Sequence, residues 1–275
     1  MGVVGNSAHE TCVSAKVHKG VIFYDAGQVA MQWAAISGER GIVMSDVQYF
    51  SVFEASERLA GLHKQFAENM VSQPSVSHAP LLVELLSQFL TECLDAFFLR
   101  PVESFGLNGT GKKVVTGGVS AINKTLDFAI KKIVTKLGNE DLATISAHIE
   151  SLIQRPADDV DSSVWVAVPL SNDLHTALVS SIAKGREQGG RSAAEPFSEA
   201  LCELVNVSLK HYMEIPISSL KMGFLMEKMA WVANDTVKAG AKTVIRKVTP
   251  TMGDQEMEYF FQFAESLVRE GRLVA

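Results

Sequence analysis

The stretch Gly106-Leu107-Asn108-Gly109-Thr110-Gly111-Lys112-Lys113 nearly spells a phosphate-binding loop. In such a loop glycines free backbone N–H groups to cradle phosphate, and a lysine supplies the charge. A complete motif has Ser or Thr after that lysine to hold magnesium, and Lys113 stands there instead. The motif should also follow a strand, whereas this one follows an apolar helical stretch ending near Pro101. Gly106, Gly111 and Lys112 are the candidate phosphate contacts of a nucleotide or phospho-ligand enzyme, and a solvated loop between two helices is the competing reading.

Basic residues gather in two later segments. Lys124, Lys131, Lys132 and Lys136 face a single acid, Asp127, while Lys238, Lys242, Arg246 and Lys247 run with no acid between Asp235 and Asp254. Lys238, Lys242 and Arg246 are four apart and so form one stripe on a helix. Lys131, Lys136, Lys238, Lys242, Arg246 and Lys247 are therefore the candidate contacts for an acidic partner or a small anionic ligand. The alternative is a solvated face paired with acids such as Glu199 and Glu203. A net charge of -6 argues against a general polyanion binder. Few aromatic residues interleave with these cations, which disfavours single-stranded nucleic acid.

Other constellations are thin. No histidine follows a glutamate at the three-residue spacing of a di-iron helix, and His148-Ile149-Glu150 splits its polar side chains between helix faces. No Gly-x-Ser-x-Gly elbow, Cys-x-x-Cys pair or Gly-x-Gly-x-x-Gly run occurs, so no metal, cofactor or catalytic residue is assigned. Cys12, Cys93 and Cys202 have no motif spacing, and a reducing cytoplasm suits them. Met222, Met226 and Met229 share a helix face near Trp231, suited to an apolar ligand or to a core seam. Glu199, Glu203 and Asn206 loosely resemble the acidic-amide helix of the duplicated chemotaxis phosphatases of the CheC type. The corresponding positions Glu84, Gln88 and Thr91 depart from that pattern, and the β-rich segments expected after the helix are helical in character, so no family is assigned.

The elements that must position these residues repeat. Glu84–Phe105 lies over Glu199–Leu220 at an offset of 115 positions, superposing Pro101 on Pro216 and Ser104 on Ser219. Asn123, Thr125, Lys131 and Lys136 meet Asn234, Thr236, Lys242 and Lys247 at 111, and the offset returns to 115 at Glu150 and Glu265. Each copy predicts a short apolar run (Tyr49–Phe53, Val164–Val168) of strand or helical character. Helices follow at about 54–72 or 170–186, then at about 80–99 or 195–214. The next run over about 116–137 or 217–248, and the last over about 140–154 or 254–270. Pro80 and Pro196 suit first helical turns, Pro101 and Pro216 predict a break or kink, and Asn139 and Asp254 are the candidate N-caps. Val21–Tyr24, Val29–Ile36 and Ile42–Met44 suggest a β-rich appendage, and Pro156–Ser163 a linker.

The expected protein is mainly α: two tandem helical repeats, 46–155 and 161–275, related by a pseudo-two-fold, with an N-terminal β appendage over 1–45. If the two apolar runs are strands, the copies can pair with each other across that axis. The most apolar run, Leu81–Leu99, carries Glu84, Glu92 and Asp95, so no membrane span is expected. The expected function is a cytoplasmic, non-catalytic binding or regulatory protein, using the inter-repeat groove or the basic helices for a protein partner or a small anionic or apolar ligand. The alternatives are the phospho-ligand enzyme above and a helical subunit of a larger assembly, a homodimer included.

Overall fold

The computed structural model describes residues 48–104, 109–156, 164–271 and 273–274. The expected appendage over 1–45, Gly106 and most of the expected linker lie outside the described residues. Residues 47–275 form one compact unit. It is mainly helical with a small antiparallel sheet.

Both apolar runs are strands. Their β-branched and aromatic residues suit an extended chain covered on both faces, and β1 (Tyr49–Glu54) and β3 (Trp165–Leu170) are buried almost without alternation. They pair antiparallel through six positions, with Val52 opposite Ala167. The strand β2 (Ile153–Pro156) adds outside β3, with Gln154 opposite Trp165, and β4 (Val268–Glu270) adds outside β1, with Phe50 opposite Arg269. The two-residue β5 (Leu273–Val274) completes the order β4-β1-β3-β2-β5.

Each central strand leads into a capped helix. In α1 (Glu57–Ser72) the Ser56 hydroxyl accepts from the Leu59 N–H at 3.1 Å, and in α6 (Asn172–Gln188) Ser171 does the same for Leu174 at 3.2 Å. Ser56 also donates its backbone N–H to the buried Glu92 carboxylate at 2.9 Å, and its hydroxyl hydrogen-bonds the other carboxylate oxygen. Gln88 donates to the same group at 2.7 Å, so a carboxylate that would be costly alone is satisfied.

Next come the apolar helices α2 (Ala79–Leu94) and α7 (Gly190–Leu209). Each widens into a π-helical turn, Asp95–Leu99 or Lys210–Glu214, before a short helix, α3 (Arg100–Ser104) or α8 (Ile215–Ser219). The Arg100 N–H reaches back to the Asp95 carbonyl and the Ile215 N–H to that of Lys210. Pro101 and Pro216 follow immediately. A proline has no N–H and crowds the carbonyl four residues back, so the wider turn takes up the strain that was expected to break or kink the helix. Pro196 departs from its expected first-turn place: α7 begins at Gly190, entered through Gly189 at φ 90°, so this proline lies inside the helix.

The long helices α4 (Gly109–Val134) and α9 (Phe224–Val248) pack antiparallel, with Gly118 against Val244 and Gly240 against Ile122. The expected helix over 217–248 is interrupted, because Leu220 is extended before α9 starts. The last helices are α5 (Asn139–Leu152) and α10 (Asp254–Ser266). Their N-caps are Gly138 and Gly253, not the expected Asn139 and Asp254, whose side chains are used elsewhere. Asn139 donates to the carbonyls of Pro74 and Val76 at 2.7 and 2.9 Å, and Asp254 accepts from the Gly190 N–H at 2.8 Å.

Two neighbouring glycines on α4 separate packing from propensity. A Cβ at Gly118 would meet Val244 Cγ2 at 2.5 Å, and that branched side chain has little rotamer freedom on a helix, whereas a Cβ at Gly117 meets nothing within 4 Å. Gly117→Ala should raise stability by roughly 0.5–1 kcal/mol, and Gly118→Ala should lower it by about 1 kcal/mol or more. Urea unfolding midpoints measure both.

Candidate functional site

The α4–α9 pair covers the inner faces of α2 and α7 without filling the space beneath. A cavity of about 290 Å³ remains, walled by residues of α2, α4, α5, α7, α9 and α10, with Val166 of β3 at the sheet. Phe97 and Phe98 of the first π turn and Tyr212 and Met213 of the second line it, as do Pro101 and Pro216. The widened turns displace the aromatic residues from the positions that an unbroken α-helix would give them, and this lets both helix ends border one space.

The wall is almost entirely hydrocarbon. No Asp, Glu, Lys or Arg lines it among the described residues, and its polar members are Cys93, His148, Ser208, Tyr212 and Thr249. The Thr249 hydroxyl donates to the Ile245 carbonyl at 2.8 Å. His148 Nε2 lies 2.6 Å from the His211 carbonyl oxygen, which only accepts, so Nε2 carries the hydrogen. Burial lowers the His148 pKa, and burial together with Lys210 and His148 holds His211 down to about 4. The Cys93 thiol is pushed up to about 12 by burial although the residue retains accessible surface. The apolar space that Cys93 lines accounts for both properties. The Tyr212 hydroxyl is buried with no hydrogen-bond partner among the described residues, and burial with the adjacent Cys93 raises its pKa. The wall is therefore neutral at physiological pH.

The residues singled out by sequence are dispersed around this space. Gly111, Lys112 and Lys113 form the first turns of α4, and the element preceding that segment is the short helix α3, not a strand. Lys131 is paired with Asp127 at 2.8 Å, and Lys136 is exposed just beyond α4. On α9, Lys238 meets Glu214 at 3.7 Å, Lys242 and Arg246 approach Cys202, and Lys247 is exposed. The expected partners Glu199 and Glu203 instead border a shallow surface groove between α6 and α7, where Glu203 accepts from Asn206 at 2.5 Å. His148 and His211 come together, while His175 stacks on Tyr49 with ring centroids 3.5 Å apart. No cluster suited to a metal ion occurs among the described residues. Met222 joins the cavity wall; Met226 and Met229 are half-buried outside it.

Sequence reasoning expected an inter-repeat groove without naming the residues that wall this cavity. Its only trace is that α2 and α7 are apolar on more faces than one neighbouring helix can cover, with Leu85, Leu86, Phe89, Leu90 and Cys93 in succession. Comparison with family models, with curated proteins and with solved structures finds no match.

These half-buried histidines set a pH response. Since the folded state holds His211 near 4, below its ordinary 6.5, the unfolded chain binds more protons between these values. The stabilisation is complete above about pH 6.5 and declines as pH falls towards 4. Urea midpoints should therefore drop over that interval, and the drop should be shallower in His211→Asn.

Proposed function

We propose that this chain is a non-catalytic cytoplasmic binding protein that holds an uncharged, apolar, elongated molecule in the cavity beneath α4 and α9. The observation that carries this reading is the size of the space relative to its chemistry. Protein interiors leave few voids larger than a water molecule. At ~24 cal/mol per Å³, an apolar space of 290 Å³ left without an occupant corresponds to at most on the order of 7 kcal/mol of lost stability. That is comparable to the whole net stability of a typical domain, ~5–15 kcal/mol. An occupant of matching surface offsets this deficit, and a volume near 300 Å³ lies at the lower end of small-molecule sites. Water is a poor occupant, because it needs polar partners that the wall does not provide.

The neutral wall also selects. A carboxylate drawn inside would lose its hydration with no cation to meet it, whereas an alcohol, an ester or a plain hydrocarbon would not carry that cost. Free cysteines at Cys93 and Cys202 fit a reducing compartment.

The proposed origin of the cavity is duplication, with each copy supplying one side. Several observations support two repeats about a pseudo-two-fold. Val52 faces its 115-offset counterpart Ala167, and the flanking pairs Phe50–Arg269 and Gln154–Trp165 are exchanged by the same relation. Both π turns fall at that offset, and Gly118–Val244 and Ile122–Gly240 cross symmetrically about Leu126 and Val237, which correspond at 111. In the wall, Phe97 corresponds to Tyr212, Pro101 to Pro216 and Leu152 to Leu267.

Binding is measured by displacing the neutral fluorophore N-phenyl-1-naphthylamine with a homologous series of primary alcohols. Affinity should rise about fourfold per methylene until the cavity is full, from ~0.8 kcal/mol per buried CH₂. The matching carboxylates should bind more weakly at neutral pH and recover as the pH falls. Cys93→Phe, which places a ring in the space, should weaken binding at least about tenfold, and Phe97→Ala should move the optimum to longer chains. A fluorophore that never binds, or an affinity indifferent to chain length and to both variants, would refute the reading.

A further inference from the structure

We propose that the outward face of the α4–α9 pair docks on an anionic lipid surface. These helices carry ten Lys or Arg side chains against three Asp or Glu, a surplus of seven positive charges, in a chain whose formal net charge is -6. Much of the surplus is displayed. Among the described residues Lys131 and Lys238 engage Asp127 and Glu214, whereas Lys112, Lys113, Lys124, Lys228 and Lys247 are exposed and make no ion pair. Lys113, Lys124 and Lys131, spaced by three and two helical turns, share one stripe of α4.

Large apolar side chains stand among these cations. Phe224 is 81% exposed and Leu225 77%, and Val232 and Phe128 are each 56% exposed. The antiparallel crossing brings the C-terminal end of α4, which holds Phe128, beside the N-terminal part of α9, which holds Phe224, Leu225 and Val232. Lys132 Nζ lies 5.9 Å from the Phe128 ring centroid, so cation and aromatic are presented together.

Basic side chains with protruding aromatic and aliphatic ones match the boundary between headgroups and acyl chains, where the cations meet anionic lipid and the apolar tips leave water. Nucleic acid would answer the charge but leave Leu225 and Val232 in water, which favours the lipid surface. The inner faces of the same helices line the cavity, about one helix diameter, ~10 Å, away. Docking stands on the outer face alone. Its purpose, access to a membrane-dissolved ligand, rests on the cavity reading above.

The test is co-sedimentation of the full chain with vesicles of phosphatidylcholine alone or mixed with phosphatidylserine. Partition should be at least about tenfold stronger onto the mixed vesicles and should weaken as salt is raised. The triple variant Lys112→Gln, Lys113→Gln, Lys247→Gln should lose on the order of a hundredfold, from about fivefold per cation. The pair Phe224→Ser, Leu225→Ser should weaken partition while leaving its salt dependence in place. These positions are exposed, so unfolding midpoints should stay at the parent value. Equal partition onto neutral vesicles, insensitivity to both variants, or displacement of the vesicles by a DNA duplex overturns the docking proposal. Fluorophore binding in vesicle-free solution reports on the cavity separately: its survival in a chain that ignores vesicles overturns docking alone, and its loss in a chain that still docks overturns the cavity reading alone.

Discussion

The antiparallel pairing of β1 with β3 is the constraint on which the rest of the architecture depends. Val52 and Ala167, each 1% exposed, face each other at its centre. Antiparallel pairing has a period of two, so a slip by one residue would turn Phe53, Val166 and Val168 away from the helices they pack against. The register therefore fixes where α1 and α6 begin, and the serine caps at Ser56 and Ser171 convert strand to helix within two residues of each strand end. Everything walling the cavity is placed by chain segments that leave this pair in opposite directions.

Within that frame, two features keep the interior from closing. The π turns before Pro101 and Pro216 rotate Phe97, Phe98, Tyr212 and Met213 into the space, and the crossing of α4 with α9 brings their backbones together at Gly118 and Gly240. The close crossing forms the roof that packs on α2 and α7, and the space lies among the bulky side chains beneath it. A neutral hydrocarbon interior under a basic exterior is a combination in which the same two helices face opposite chemistry on their two sides. The histidines follow the same logic: burial disfavours the charged forms of His148 and His211, and at His211 Lys210 and His148 add to it.

Much of the local organisation was legible from residue order. The serine starts, Pro80 in a first turn and the punctuation at Pro101 and Pro216 each rest on short-range rules of backbone geometry, and such rules act within a few residues. The two apolar runs stayed open between strand and helix until their pairing decided it. Errors fell where a distant partner intervened. Asn139 and Asp254 resemble caps, but the carbonyls of Pro74 and Val76 and the N–H of Gly190 take their side chains. Pro196 looked like a helix start, but the helix begins at Gly190, whose N–H is taken by the distant Asp254 carboxylate. Glu199 and Glu203 were natural partners for the basic stripe by composition, yet Glu214, on a π turn, is the acid that reaches Lys238.

Residue order alone determined the mainly helical class, most of the helix segments and the basic character of the two long helices, because propensity, periodicity and charge are properties of neighbouring residues. It left Tyr49–Phe53 and Val164–Val168 open between strand and helix and ran the last helices into the edge strands Ile153–Pro156 and Val268–Glu270. Tertiary structure decided which apolar faces meet and which are left facing a space. An apolar side chain carries the same signal whether it fills a core or borders a cavity. Only the arrangement of the surrounding helices distinguishes a Phe97 packed against another side chain from one lining a cavity.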